Sequence, residues 1–412
     1  MEIVVQKYGG TSVGSAERIQ EVAQRIIRYK DAGYAMVVVV SAMGKTTDVL
    51  VDLAKELHES PPAREMDMLL ATGEQVSIAL LSMALQSRGY EAVSMTGWQA
   101  GILTEEKHGK ARISTINSQR IEQEIQQGKI VIVAGFQGAS ENGEITTLGR
   151  GGSDTTAVTI AASLQATCCE IYTDVSGVFT ADPRIVSRAQ KVSSISYDEM
   201  LELATLGAGV LHPRSVESAK KHRVRLVVRS SFTEEEGTLV EEETNMELGK
   251  VISGIAHDKD VSSITVIGMP VKVGMLSLLF KALADASINV DIIIQSTYHD
   301  KANNVSFTIS ADDLHRTLET LVAHQEELGF EHVEYESGLA KVSIVGAGMI
   351  TNPGVAADMF SHLSSQDILI RMVSTSDIKV SCVIPAEKVA QAVATLHTAF
   401  GLDVSVDAVV HA

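Results

Sequence analysis

Residues 37–48 read VVVVSAMGKTTD, four valines running into a turn of small residues and then Gly-Lys-Thr-Thr. The ingredients are those of a P-loop, but the spacing is not. Such a loop needs a glycine five positions before the glycine of its GK[ST], so that backbone N–H groups wrap the phosphates before Lys and Thr reach them. Counted back from Gly44, that position is Val39, inside the apolar run. The stretch therefore reads as a buried parallel strand, Tyr34 to Val40, ending in a polar turn. In open α/β sheets ligands sit at the carboxyl ends of such strands, which makes Ser41, Lys45 and Thr47 candidate ligand contacts of another kind.

Outward from this strand, apolar runs alternate with helical patterns through the first 230 residues, from IVVQ and ERIQEVAQRIIRY to TTAVTIAASLQA and CEIYTDV. The rhythm predicts an α/β fold with a mostly parallel sheet sandwiched by helices. From Thr233 to Lys250 the text becomes TEEEGTLVEEETNMELGK, an acidic stretch that reads as a boundary, with a solvated strand pair closing the first domain as the alternative for the same segment. An internal repeat follows. Residues 264–296 line up with 342–376, pairing Gly268 with Gly346, Gly274 with Gly354, Phe280 with Phe360 and Ile288 with Ile368. Each copy continues into a further strand and an amphipathic helix, the pattern of paired ferredoxin-like βαββαβ modules. The expected organisation is a domain at 1–240, an acidic linker at 241–255, and modules at 256–338 and 339–412. GAGMIT, starting at Gly346, mimics a dinucleotide fingerprint, but Thr351 takes the third glycine's place and the second module explains it better.

The 412 residues carry 52 Asp+Glu against 34 Lys+Arg, a formal charge of −18, with 45% apolar content. No basic stripe is present, which argues against nucleic acid and anionic membranes as partners and for a small molecule. No apolar run approaches the roughly 18 residues that span a bilayer, and the chain opens directly into EIVVQKYGG. The expectation is a cytoplasmic protein. Cys168, Cys169 and Cys382 form neither a disulfide framework nor a metal-ligand spacing. They read as reduced thiols, the adjacent pair packing as small core residues.

Polar segments at strand ends carry the chemistry. QKYGGTS (6–12) puts two glycines where backbone can approach an anion, before a helix starting near Ser15 or Ala16, with Lys7 placed to neutralise a phosphoryl group in flight. In MDMLLATGEQV, Glu74 is either a helix-start residue or a ligand for an ammonium group. TTLGRGGSDTTA combines Gly149, Gly151 and Gly152 with Arg150, suited to bidentate grip on a carboxylate or phosphate, and with Ser153 or Asp154 to cap a helix beginning near Thr155. YTDVSGVFTADPR (172–184) leaves a strand into Asp174 and closes with Asp182, Pro183 and Arg184.

KYGGTS, SAMGKTTD, ATGEQVS, TTLGRGGSDTTA, TDVSGVFTADPR, ISYDEMLELATLGAGVLHPRSV and INVDIIIQ, in this order over essentially the whole chain, resemble the aspartate kinases of the amino-acid kinase superfamily. The wording is most similar to the lysine-sensitive form of Gram-positive bacteria such as bacilli, and the repeats resemble its ACT domains. The resemblance implies the amino-acid kinase fold and transfer of the ATP γ-phosphoryl group, with Mg2+, to the β-carboxylate of L-aspartate, the first step toward lysine, threonine and methionine. Lys7 and Asp154 would be catalytic. Ser41, Thr47, Glu74, Arg150, Gly151, Gly152 and Ser153 would hold aspartate, Glu74 on its ammonium and Arg150 on its α-carboxylate. Lys7, Tyr8, Gly9, Gly10, Thr173, Asp174, Phe179, Thr180, Asp182, Pro183 and Arg184 would seat the nucleotide. Gly209 stands where many relatives carry a lysine and Phe179 where many carry tyrosine, leaving Arg184 or Arg214 to supply a replacement cation. Lysine, with threonine as a second candidate, would inhibit through Asp291, Gln295, Asn352, Pro353, Gly354, Ser374 and Thr375. The implied assembly is a homo-oligomer, or a complex with a shorter regulatory subunit started at Met246 in the same frame. The rival readings are another amino-acid kinase, for which Glu74 would have no ammonium to hold after N-acylation, and a non-catalytic amino-acid sensor.

Overall fold

The computed structural model describes residues 2–242, 251–299 and 302–403; the expected internal start at Met246 lies outside them. The chain divides into two compact units, the first comprising Met1–Val178, Lys191–Thr205 and Gly209–Asn245, the second Phe179–Gln190, Leu206–Ala208 and Met246–Ala412.

The first unit runs β1 (Ile3–Tyr8), α1 (Ala16–Asp31), β2 (Ala35–Val40), α2 (Thr46–Leu57), α3 (Ala63–Gln86), β3 (Ala92–Met95), β4 (Ile102–Thr104), β5 (Ile113–Ile116), α4 (Gln119–Gln126), β6 (Ile130–Ala134), β7 (Gln137–Ala139), β8 (Ile145–Thr147), α5 (Gly152–Ser163), β9 (Cys168–Thr173), β10 (Ser194–Ser196), α6 (Tyr197–Thr205), α7 (Pro213–His222), β11 (Leu226–Ser230) and β12 (Thr238–Glu241). Its eight-stranded sheet has the order β10-β12-β11-β9-β1-β2-β6-β3, parallel except where β11 meets β12. A smaller sheet of order β5-β4-β7-β8 leads into α5. Every residue of β2 and β6 is buried, as parallel strands covered on both faces require. The valine run is a central strand for that reason. Helix α1 buries Ile19, Val22, Ala23 and Ile26 along one stripe and is capped by Ser15, whose hydroxyl accepts from Arg18 N at 3.3 Å. α3 is the one described helix long and apolar enough to cross a membrane, against the expectation that no such run exists; half of that apolar window is buried inside the unit.

The second unit contains β13 (Gly254–Pro270), α8 (Met275–Asp285), β14 (Ile293–His299), β15 (Ala302–Ile309), α9 (Leu314–Ala323), α10 (Gln325–Leu328), β16 (His332–Val345), α11 (Val355–Ser365), β17 (Met372–Ser376), β18 (Lys379–Pro385) and α12 (Val389–Ala399). All six strands share one antiparallel sheet, β14-β15-β13-β16-β18-β17. The repeat is visible in the backbone: Gly274 and Gly354 take φ of 94° and 104° at the starts of α8 and α11, and Ser287 and Asp367 take 57° and 54° just after those helices. The two long strands serve both modules. The first half of β13, Gly254–Asp258, pairs with the second half of β16, on which β18 and β17 are laid, while the second half of β13 joins β15 and β14. Ile252 and Ile255 accordingly sit in the core with Val342, Met359 and Leu396 of the later module. The later module, expected at 339–412, thus shares Gly254–Asp258 with the strand that opens the module expected at 256–338.

Candidate active site

Strand β1 lies between β2 and β9, with Lys7 opposite Val39 on one side and Ile171 on the other. The loops leaving these three parallel strands therefore open at the same sheet edge, where the strand order reverses direction. Lys7 and Tyr8 point to opposite faces. Lys7 Nζ reaches Asp154 Oδ1 at 2.7 Å, in the first turn of α5. Tyr8 presents no side chain to the same surface: its fully buried ring stacks on Tyr172 with centroids 4.7 Å apart, and its hydroxyl donates to Gln6 Oε1 at 3.0 Å. Burial of Tyr8 and Tyr172 pushes both phenols well above their ordinary range.

The glycines after β1 are there for proximity. This holds for Gly10, where a Cβ would lie 2.8 Å from Ala42 O; one on Gly9 would make only an ordinary contact, 3.6 Å from Lys7 Nζ. Gly44 N donates to Gly10 O at 3.0 Å and Ser41 N to Tyr8 O at 3.1 Å, stitching the two loops together. Gly73 lets α3 close against the same turn, since a Cβ there would meet the Ala42 Cβ at 2.8 Å. This approach brings Glu74 to Ala42, whose backbone N–H donates to Glu74 Oε1 at 3.1 Å. The other carboxylate oxygen is buried without a hydrogen-bond partner among the described residues. Glu74 lies in the middle of α3, so the helix-start alternative is excluded. Burial lifts its carboxyl to about 7, the Ala42 bond opposing the rise.

Helix α5 begins at Gly152, three residues earlier than expected, and neither Ser153 nor Asp154 caps it. The cap position is Gly151, at φ 68°, where a Cβ would lie 2.1 Å from His212 Cγ. Only glycine fits both the left-handed backbone and the imidazole against it. With no side-chain acceptor at the cap, the first-turn N–H groups and the helix dipole favour an anion, a preference Asp154 already shares. Arg150 is exposed on the preceding turn, and Ser41 and Thr47 are half-buried, Thr47 in the first turn of α2.

At the end of β9, Thr173 Oγ1 donates to the exposed Asp174 at 3.0 Å. Phe179, Thr180, Asp182, Pro183 and Arg184 belong to the second unit. There the Thr180 hydroxyl is buried, accepting from Gln190 N and bonded to His397 Nε2, both at 2.9 Å. Arg184 grips Asp182 through Nε and Nη2 and holds that carboxyl below the usual range. In the same unit Asp291 is paired with Lys341, Gln295 and Thr375 are exposed, Ser374 is half-buried, and Asn352 donates to Gly348 O at 2.8 Å ahead of Pro353 and Gly354.

Two polar clusters escaped the sequence reading. Glu170 on β9 takes Gln6, Tyr29, Tyr172 and Arg229 onto its carboxylate beneath the sheet edge. Asp67 on α3 gathers His108, Gly109 and Thr147. The signal available for Asp67 was its offset of seven from Glu74 within an apolar helix, which places both acids on nearly the same face.

Residues 2–230 match the amino acid kinase family, and residues 264–325 and 342–400 match the ACT domain. Over 98% of both chains, the sequence is 60% identical to the aspartokinase of Geobacillus stearothermophilus and 58% identical to aspartokinase 2 of Bacillus subtilis. The chain belongs to the aspartokinases of the amino acid kinase family. The crystal structure of E. coli aspartokinase III with aspartate and ADP, described as an R-state, is similar at a TM-score of 0.83 and 28% identity, covering 97% of this chain and 99% of that one. The same E. coli protein with lysine and aspartate, described as a T-state, gives 0.76 at 28% identity, covering 97% of this chain and all of that one. Two features qualify what the resemblance implied for this aspartokinase. Arg214 is held in place, its guanidinium donating to the neutral carbonyls of Leu148 at 2.7 Å and Ala111 at 3.2 Å. Burial pushes the thiols of Cys168 and Cys382 up to about 11 and about 12, and all three cysteines are free.

Proposed function

We propose that this aspartokinase carries ATP and L-aspartate to 4-phospho-L-aspartate in the crevice defined by Lys7, Gly9, Gly10, Ser41, Glu74 and the start of α5. The observation that carries the site assignment is the unpartnered Glu74 oxygen, buried one backbone contact away from the glycine loop that holds Lys7. An ammonium group is what such an oxygen accepts, and Arg150 offers the fork for the α-carboxylate. The β-carboxylate, with a pKa near 4, is already ionised at neutral pH, so no general base is required and the barrier is the approach of two anions. Lys7 neutralises the phosphoryl group in transit while Asp154 orients it, and the N-terminus of α5 adds donors where charge develops. Thr173 and Asp174, at the end of β9, are the proposed nucleotide contacts of the first unit. No group of three or more His, Cys, Asp or Glu side chains converges on a metal position among the described residues. Mg2+ would arrive on the nucleotide phosphates, where it would lower their charge.

The ACT modules make the enzyme feedback-regulated, with lysine the proposed inhibitor, threonine the second candidate, and Asp291, Gln295, Asn352–Gly354, Ser374 and Thr375 the proposed contacts. The enzyme is read as a cytoplasmic homo-oligomer or as the long partner of a shorter subunit from the same frame. A single band on a denaturing gel of the native gene's products counts against the shorter subunit. The decisive assay traps the acyl phosphate with hydroxylamine, using Mg-ATP and either aspartate or glutamate, without and with lysine and threonine. Aspartate-dependent hydroxamate suppressed by lysine is expected. Activity indifferent to both effectors overturns the regulatory assignment, and folded protein that binds lysine without forming hydroxamate overturns the catalytic one.

A further inference from the structure

Two buried carboxylates, Asp67 and Glu74, interrupt the apolar helix α3, and they are treated in opposite ways. Glu74 keeps one oxygen without a partner, whereas the fully buried Asp67 is saturated. Its Oδ1 accepts from Thr147 Oγ1 at 2.5 Å, its Oδ2 from His108 Nδ1 at 2.8 Å, and Gly109 N reaches the two oxygens at 3.1 and 3.0 Å. Burying a carboxylate is costly unless donors surround it. Here the donors come from two chain segments that converge below the turn holding Arg150.

Thr147 ends β8 immediately before that turn, and its carbonyl accepts from Ala111 N at 2.9 Å. Gly149, at φ 75°, is packed so closely on the other segment that a Cβ would lie 3.2 Å from Gly109 O. Arg214 clamps both segments through Leu148 O and Ala111 O. The Arg150 turn therefore rests on residues 108–111, and those residues are tied to α3 by one carboxylate.

We infer that Asp67 is a positioning residue for the amino-acid substrate: through His108, Gly109 and Thr147 it fixes the Gly149–Gly151 turn, and with it Arg150, relative to Glu74 on the same helix. The inference rests on the proposed roles of Glu74 and Arg150. Its consequence is that the distance between the ammonium-holding and carboxylate-holding groups is set from within the fold, which selects a free α-amino acid. Displacements of about 1 Å in such geometry cost roughly a hundredfold in rate.

The test uses the full chain and residues away from the substrate. His108→Ala and Thr147→Val each delete one donor to Asp67, and each is expected to raise the KM for aspartate roughly tenfold while the KM for ATP stays near that of the parent. His108→Asn, which keeps an N–H near the same place, restores aspartate KM. Asp67→Asn combined with His108→Ala is less than additive. Equal rises in both KM values, or a lower melting temperature with aspartate KM unchanged, overturn the inference and leave Asp67 as a plain structural tie. Glu74→Gln and Arg150→Lys separate the levels. If these leave aspartate KM unchanged, the site reading has failed; if they raise it while the His108 and Thr147 variants do not, only the inference has failed.

Discussion

Replacing Glu74 by glutamine separates what this residue costs from what it does. Burial raises its carboxyl from the ordinary 4.5 to about 7, with one oxygen bonded to Ala42 N and the other unpartnered. Between those pH values the folded chain retains a proton that the unfolded chain has released. The stability associated with this protonated group is complete below about pH 4.5 and is lost as pH climbs through about 7. At about 1.36 kcal/mol per pH unit, the full loss is about 3 kcal/mol by about pH 8. The Glu74→Gln chain has no such proton to lose, and its amide oxygen can keep the Ala42 bond. Without ligands it is therefore expected to be more stable than the parent by up to about 3 kcal/mol at about pH 8, and equally stable near pH 4.5. Function moves the other way, because an ammonium facing a neutral amide loses a charge-assisted hydrogen bond. Aspartate KM should rise between roughly tenfold and a hundredfold. In the parent, aspartate requires Glu74 ionised, so log KM should climb toward one unit per pH unit below about 7, and the variant should abolish that slope. Denaturant unfolding of the ligand-free protein near pH 5 and pH 8, with aspartate kinetics across the interval, reads all three quantities. A variant less stable than the parent at the higher pH refutes the burial argument, and an unchanged KM refutes the ammonium assignment.

Lys7→Ala should cut kcat by roughly a hundred- to a thousandfold while calorimetry still shows lysine bound by the ACT modules; near-parental turnover removes Lys7 from the mechanism. Gly151→Ala places a methyl where the His212 ring lies and forces φ 68° on a side-chain residue, so it should lower stability by roughly 2 kcal/mol or more and shift the start of α5; unfolding curves overlaying the parent's would show that the loop yields. Burial raises the Cys382 and Cys169 thiols, so neither should react with a thiol reagent near pH 8 until denaturant is added, and fast native-state labelling at those positions contradicts their packing.

The fold was legible because its strongest signals are local. A run of valines wholly buried in β2 is a strand covered on both faces, and the helical pattern of α1 and its start near Ser15 or Ala16 read directly from residue types. Lys7, Gly10 and Glu74 stood out because each breaks a local pattern. What did not read through depends on close approach. The glycine cap of α5 at Gly151 packs against a histidine sixty-one positions later in the sequence, and nothing near Arg214 in the chain discloses its two carbonyl partners. Asp67 was hidden for the same reason, its donors lying on a loop and a strand far along the chain. The sharing of β13 between the modules was hidden for a different reason. Periodicity shows where a strand begins and ends, but not that one strand is shared by two modules.

That sharing limits where a self-sufficient shorter polypeptide can start. A chain opening at the later repeat would contain β16, β17 and β18 but lack Gly254–Asp258, leaving one side of β16 without its hydrogen-bonding neighbour and the apolar core without Ile252 and Ile255. Its exposed edge would invite pairing with other chains. A regulatory product of this reading frame has to be initiated upstream of Ile252, and both repeats then travel together as one inheritable piece.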